Sequence, residues 1–104
     1  MDRNPPHPGE VLAERFLGPL GIPQAVLARH LKVSVKTIHE LVHARRGLTP
    51  HMAWLLSQAL GTSPDYWMEL QSAWSLVRAL PKRKVPRLER PQLSLLPVDV
   101  PAER

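Results

Sequence analysis

The sequence contains no cysteine, so it can build neither a disulfide framework nor a thiolate metal site. That suits a reducing compartment, and we read the protein as cytoplasmic. Aromatic residues are few: three tryptophans, one tyrosine and one phenylalanine, which excludes a large aromatic core. No apolar run approaches the roughly 18 residues needed to cross a membrane. The opening MDRNPPHPGE lacks the apolar stretch of a secretory leader. No internal repeat is visible. A surplus of acid is also missing, because the net charge is +5. The length suits one domain.

The positive charge is unevenly placed. Residues 24–48 carry a net +4 and residues 78–90 a net +5, in a chain that is otherwise mildly acidic. The first basic block coincides with the most patterned stretch, QAVLARHLKVSVKTIHELVHARRG at 24–47. It reads as two short helices joined at Lys32-Val33-Ser34. Ala28 and Leu31 mark one face of the first helix. Ile38, Leu41 and Val42 mark one face of the second at i, i+3 and i+4. Ser34 is placed to cap that second helix. Its other face carries Lys36, Thr37, His39, Glu40 and His43. A helix with one face for burial and one of hydrogen-bonding reach, beside a basic block, is the pattern of a helix-turn-helix DNA reader.

Around this pair the chain predicts three more helices. The first runs over 8–17, with Pro8 in its first turn, Leu12 and Phe16 buried, and Gly18-Pro19 as its stop. The helix-turn-helix pair follows, its second helix over about 35–44. Gly47 is expected to turn left-handed after it. Thr49-Pro50 opens a fourth helix that Gly61 closes. Thr62-Ser63-Pro64-Asp65 opens a fifth, reaching about residue 80, with Ser63 as cap. Trp67, Leu70, Trp74 and Val77 form a stripe on it. The stripe is either internal core or, in its later half at Trp74, Val77 and Leu80, a dimer seam. Both can hold for different turns. Prolines 81, 86, 91, 97 and 101 break any helix beyond this point. The fold class is therefore all-α, with a helix-turn-helix and dimerisation domain over 1–80 and an extended, basic, proline-rich tail over 81–104. The apolar stretch at 93–98 in that tail is a candidate docking segment.

The major groove admits one helix and displays a distinct donor and acceptor pattern for each base pair. Ser34, Lys36, Thr37, His39, Glu40 and His43 are the expected base contacts. Lys36 can donate to guanine, the Thr37 methyl can meet thymine, and Glu40 can accept from cytosine. Gln24, Arg45, Arg46 and Thr49 are the expected phosphate contacts. Two copies reading half-sites one turn apart give the selectivity that a monomer lacks.

His39-Glu40-Leu41-Val42-His43 also matches the H-E-x-x-H of zinc proteases. No third histidine follows at the right spacing, where Arg46 and Thr49 stand instead, and the flanking arginines oppose a cation. We therefore expect no enzyme, no metal and no cofactor. A third class is an interaction module that kept the fold and lost DNA binding.

With these residues in view, the chain resembles the HigA family of antitoxins, within the XRE/Cro-like helix-turn-helix repressors. The resemblance covers about residues 7–80. It rests on His7-Pro8-Gly9-Glu10, the Gln24, Ala28, Val33-Ser34 and Ile38 spacing, Arg46-Gly47-Leu48-Thr49, and above all GTSPDYW at 61–67 followed by Leu70-Gln71. It implies a five-helix Cro/lambda-repressor-like domain that forms a homodimer on double-stranded operator DNA in its own promoter. It also implies a RelE/HigB-like toxin partner, an mRNA-cleaving nuclease that the antitoxin neutralises. The alternative is a stand-alone XRE-type regulator without a toxin. Lys32 stands where the family commonly has glycine, so it must meet a strained turn geometry. Leu55 stands where a polar residue is common.

Overall fold

The computed structural model describes residues 4–89, which hold five helices and no strand. Helix α1 is a continuous run in three parts, Pro8–Leu12, Ala13–Leu17 and Gly18–Leu20. Helices α2 (Gln24–Leu31), α3 (Val35–Val42), α4 (Pro50–Leu60) and α5 (Pro64–Arg78) follow. Residues 81–89 form neither helix nor strand. The apolar stretch at 93–98 lies outside the described residues. No helix among the described residues is long and apolar enough to cross a membrane.

The expected stop of α1 at Gly18-Pro19 is not observed. The middle part, Ala13–Leu17, is a π-helix, and the Gly18 N–H reaches back to the Ala13 carbonyl. In a regular α-turn the Pro19 ring would strike the carbonyl four residues earlier. The wider turn draws that carbonyl away and lets the helix continue. It ends instead at Gly21, in the left-handed region at φ 65°. There the Ile22 N–H donates to the Leu17 carbonyl at 2.9 Å and the Gly21 N–H to the Gly18 carbonyl at 3.1 Å.

The same closure recurs after each helix of the helix-turn-helix pair. Lys32 is left-handed at φ 62°, with the Val33 N–H on the Ala28 carbonyl at 3.0 Å. Ala44 is left-handed at φ 59°, with the Arg45 N–H on the Glu40 carbonyl at 2.7 Å. The left-handed residue after α3 is therefore Ala44 and not Gly47, whose φ is not positive. The last turn of α3 tightens at His43, so the α-helix stops at Val42, two residues before the expected end. A left-handed non-glycine residue costs about 1–2 kcal/mol. The paired backbone hydrogen bonds of this motif satisfy carbonyls that the helix end would otherwise leave bare.

The core lies where α1, α3, α4 and α5 converge. Leu12, Ile38, Leu41, Leu56 and Trp67 are its large, fully enclosed side chains. Each such burial contributes roughly 1.5–3 kcal/mol. Helix α2 packs on α3 and α4, and α4 packs along α5. Helix α1 lies across α3, and the approach is closest at Gly9. A Cβ at Gly9 would overlap the Leu41 carbonyl. A side chain there would push α1 off α3.

Gly9→Ala should therefore destabilise the protein by roughly 2–3 kcal/mol, the upper range for overpacking, read as a lower urea midpoint. Lys32→Gly should raise stability by about 0.5–1 kcal/mol, because relief of strain exceeds the added freedom of the unfolded chain. The same urea titration measures both.

Candidate nucleic-acid interface

Helix α3 is held by its inner face and presented by its outer one. Ile38 and Leu41 are buried and Val42 is half-buried. At 100° per residue, Lys36, His39, Glu40 and His43 then point away from the core and Thr37 lies on the flank. Lys36 is 80% exposed, and His39 and His43 are exposed. Ser34 caps the helix: its Oγ accepts the Thr37 N–H at 3.1 Å and lies 2.9 Å from the Thr37 Oγ1. The Ser34 and Thr37 hydroxyls are thus tied to each other at the helix entrance. The His43 Nδ1 sits 2.9 Å from the His39 carbonyl, and the two rings lie 4.2 Å apart.

Two residues expected to act separately are a pair. The Arg46 Nε and Nη2 both donate to the Glu40 Oε1, at 3.1 and 2.8 Å. The Lys36 Nζ lies 3.9 Å from the other Glu40 oxygen. The Arg46 hydrogen bond, helped by the Arg46, Lys36 and Arg45 charges, holds the Glu40 carboxyl below the usual carboxylate range. Glu40 therefore fixes the direction of Arg46 at the exit of α3. Arg45, beside it, is exposed. Gln24 is the first residue of α2 and is half-buried. The Thr49 Oγ1 accepts the Met52 N–H at 3.2 Å, and so caps α4. Among the described residues no group of three His, Asp or Glu side chains is placed to hold a metal.

The loop from α3 to α4 is clamped by α5. The Leu48 N–H donates to the Gln71 Oε1 at 2.6 Å, and the Gln71 Nε2 donates to the Ser75 Oγ at 2.7 Å. Leu48 itself is buried. His7, at the start of α1, is also buried. Its Nδ1 accepts the Gly9 N–H at 2.9 Å, capping α1. Burial lowers the pKa of the ring, opposed in part by the Arg46 backbone and the Glu10 charge. The ring meets Trp74 edge-on at 4.7 Å, and the Arg78 guanidinium lies 4.4 Å over Trp74. Trp74 is thus partly covered from within the chain. Val77 is 48% exposed and Leu80, beyond the end of α5, 78%.

Gly9, His7 and Gln71 had no assigned role in the sequence reading. A signal existed for two of them. A glycine in the second position of a helix carries a propensity cost that some close contact must justify. A glutamine at i+4 from a buried tryptophan lies on the inward stripe of α5. Trp67 is fully buried, and its Nε1 donates to the Thr62 Oγ1 at 2.7 Å. That explains why Gly61-Thr62-Ser63-Pro64 and Trp67 occur together.

The helix-turn-helix family (HTH_3) matches residues 12–67. A solved structure of Pseudomonas aeruginosa antitoxin HigA with the higBA promoter is similar at 45% identity. It covers 72% of this chain and 82% of that one, with a TM-score of 0.70. Antitoxin HigA-1 of Vibrio cholerae is 36% identical over 71% of this chain and 70% of its own. The uncharacterised HTH-type transcriptional regulator YddM of Escherichia coli is 38% identical over 84% of this chain and 92% of its own.

The chain belongs to the HigA family of antitoxins. Its helix-turn-helix domain is of the XRE type. The all-α Cro-like fold expected from the resemblance is the one observed. HigA-type chains belong to a family of DNA-binding regulators and not of enzymes. The H-E-x-x-H spacing at 39–43 therefore belongs to a helix of a helix-turn-helix domain.

Gln71→Ala should cost about 1–2 kcal/mol, because the partly buried Leu48 N–H loses its acceptor. Thermal unfolding against the parent measures the loss. Gln71→Glu, which keeps the acceptor, should recover most of it above the carboxylate pKa.

Proposed function

We propose that the protein is a type II antitoxin that binds operator DNA as a homodimer, represses its own operon and neutralises a RelE/HigB-like mRNA-cleaving toxin. The observation that carries the DNA half is the geometry of α3. Its apolar side is locked in the core, while Lys36, His39 and His43 stand exposed above a +4 segment ending in Arg45 and Arg46. The promoter DNA named with the Pseudomonas aeruginosa HigA structure supports the same reading. The toxin half rests on membership of the family. On this reading the protein works in the cytoplasm.

The reader works in two layers. Lys36 and Thr37 approach base edges near the start of α3, with Ser34 holding the Thr37 hydroxyl in place. His39 and His43 extend the contact along the groove. Glu40 serves chiefly by aiming Arg46. Arg45 and Arg46 grip phosphates past the helix end, and Gln24 and Thr49 grip them from the starts of α2 and α4. Phosphate contacts set register and supply the salt-dependent affinity, and base contacts set sequence choice. Pairing of two copies through Val77 and Leu80, with Trp74 beneath, would set two reading helices about 34 Å apart. A second reading, a stand-alone regulator without a toxin, is favoured by the regulator name that YddM carries.

Fluorescence polarisation with duplex DNA from the protein's own promoter tests this. Lys36→Ala should weaken promoter binding more than binding to unrelated DNA. Arg45→Ala should weaken both and flatten the slope of log K against log salt by about 1. Parental affinities for both variants across the salt range would overturn the assignment.

A further inference from the structure

The basic segment that follows α5 has no part in the function proposed above. Residues 78–90 sum to +5, more than the +4 of residues 24–48. Lys82, Arg83, Lys84 and Arg87 are all exposed, and residues 81–89 form neither helix nor strand. Pro81 and Pro86 each fix the backbone and oppose a helix. Four like charges within six residues repel one another and draw the chain out. A polyanion relieves that repulsion.

The point from which this segment departs is fixed by contacts. Gln71 of α5 accepts the Leu48 N–H at 2.6 Å and so holds the loop between α3 and α4. The same amide lies against Gly47, where an added Cβ would stand 3.5 Å from the Gln71 Nε2. Gly47 directly follows Arg46. Helix α5 then runs on to Arg78, about 10 Å further along its axis. Those last turns are packed. The Trp74 ring meets the buried His7 ring edge-on at 4.7 Å, and the Arg78 guanidinium lies 4.4 Å over Trp74. The basic segment therefore starts about two helical turns beyond the corner that carries Arg45 and Arg46. From Lys82 to Arg87 an extended chain covers about 15 Å. One DNA strand sets a phosphate at every ~3.4 Å of axis, so such a stretch passes about four of them.

We propose that residues 82–87 are a second phosphate-gripping element, in which Lys82, Arg83, Lys84 and Arg87 lie along the DNA backbone beyond the stretch that Arg45 and Arg46 hold. The inference rests on the DNA-binding reading above. The partner is duplex DNA and not the toxin. A nuclease that cuts RNA must itself draw in phosphate, so the working face of the toxin needs the same sign of charge as this segment. Like charges steer two surfaces apart. The segment has no helix or strand with which to present side chains to base edges, so its grip is on phosphate and carries no sequence information. It adds affinity and salt dependence, while Lys36 and Thr37 keep sequence choice.

The whole chain carrying Lys82→Gln, Arg83→Gln, Lys84→Gln and Arg87→Gln together tests this. Fluorescence polarisation is measured across salt with a duplex from the protein's own promoter and with an unrelated duplex. All four positions stand outside the bundle, so the urea midpoint should match the parent's. The slope of log K against log salt should fall by about 2–4 on both duplexes, for one or two phosphates per chain in a dimer. The ratio of promoter to unrelated affinity should hold, in contrast to Lys36→Ala. Arg15→Gln, at an exposed cation on α1, measures the effect of bulk charge alone and should leave the slope close to the parent's. A parental slope in the fourfold variant would overturn the proposal. So would a fall per charge no greater than that of Arg15→Gln. Loss of toxin binding with a parental slope would assign the segment to a protein partner and overturn it as well. A parent without salt-dependent binding would instead fault the DNA-binding reading, and the role of the segment would fall with it.

Discussion

The contact on which the structure depends is the meeting of two backbones, α1 over α3, at Gly9 and Leu41. Side chains normally keep helices 8–10 Å apart. The missing Cβ at Gly9 brings the start of α1 down onto the Leu41 carbonyl. Leu12 and Ile38, both without solvent exposure, then enclose the same core. On the proposed reading α3 needs a fixed attitude, because its outward side chains would meet base edges a few ångströms away. Here the attitude is set by backbone sterics, which yield far less than a flexible side chain would.

The second feature is how the ends of α3 are made. Two left-handed corners, Lys32 before it and Ala44 after it, are built from residues that prefer other conformations. The strain at each is offset by a pair of backbone hydrogen bonds and by burial of the helices between them. The entrance corner places a lysine where glycine would be conformationally easier. The exit corner turns the chain so that Arg46 folds back on Glu40 while Arg45 stays in solvent. One arginine is thus pre-aimed and the other is left to find its own partner. Pre-aiming reduces the side-chain entropy lost on binding, at some cost in bare charge. Gln71 then holds the segment that carries both arginines.

Much of this was legible in the sequence, because the governing signals are local. Ser34, Thr49 and Ser63 all cap the helices that their positions announce, since a hydroxyl before a helix has one obvious use. The spacing of Ile38, Leu41 and Val42 identified the inner face of α3, because burial on a helix follows its period. The misjudged places all depend on geometry beyond the immediate neighbours. Gly18-Pro19 looked like a stop, yet a wider turn upstream carries the helix past it. Gly47 looked like the left-handed corner, yet the chain turns three residues earlier at Ala44. Glu40 and Arg46 were each expected to contact DNA, which nothing here contradicts; what the sequence did not reveal is that they pair with each other. Their pairing depends on how the chain doubles back after α3, which no spacing rule reveals. Gly9, Gln71 and His7 act across 23 residues or more, and long-range contacts leave little trace in a single sequence.

The central claim is that the exposed side of α3 enters the DNA groove while the rest of the bundle holds it still. Amide chemical-shift mapping during titration with duplex DNA from the protein's own promoter tests it most directly. The account predicts that the largest changes cluster at residues 34–40, 43 and 45–46, with lesser ones at Gln24 and Thr49, and that the core amides of α5 around Trp67 stay in place. Changes centred on another face, with residues 34–46 unmoved at saturation, would contradict it.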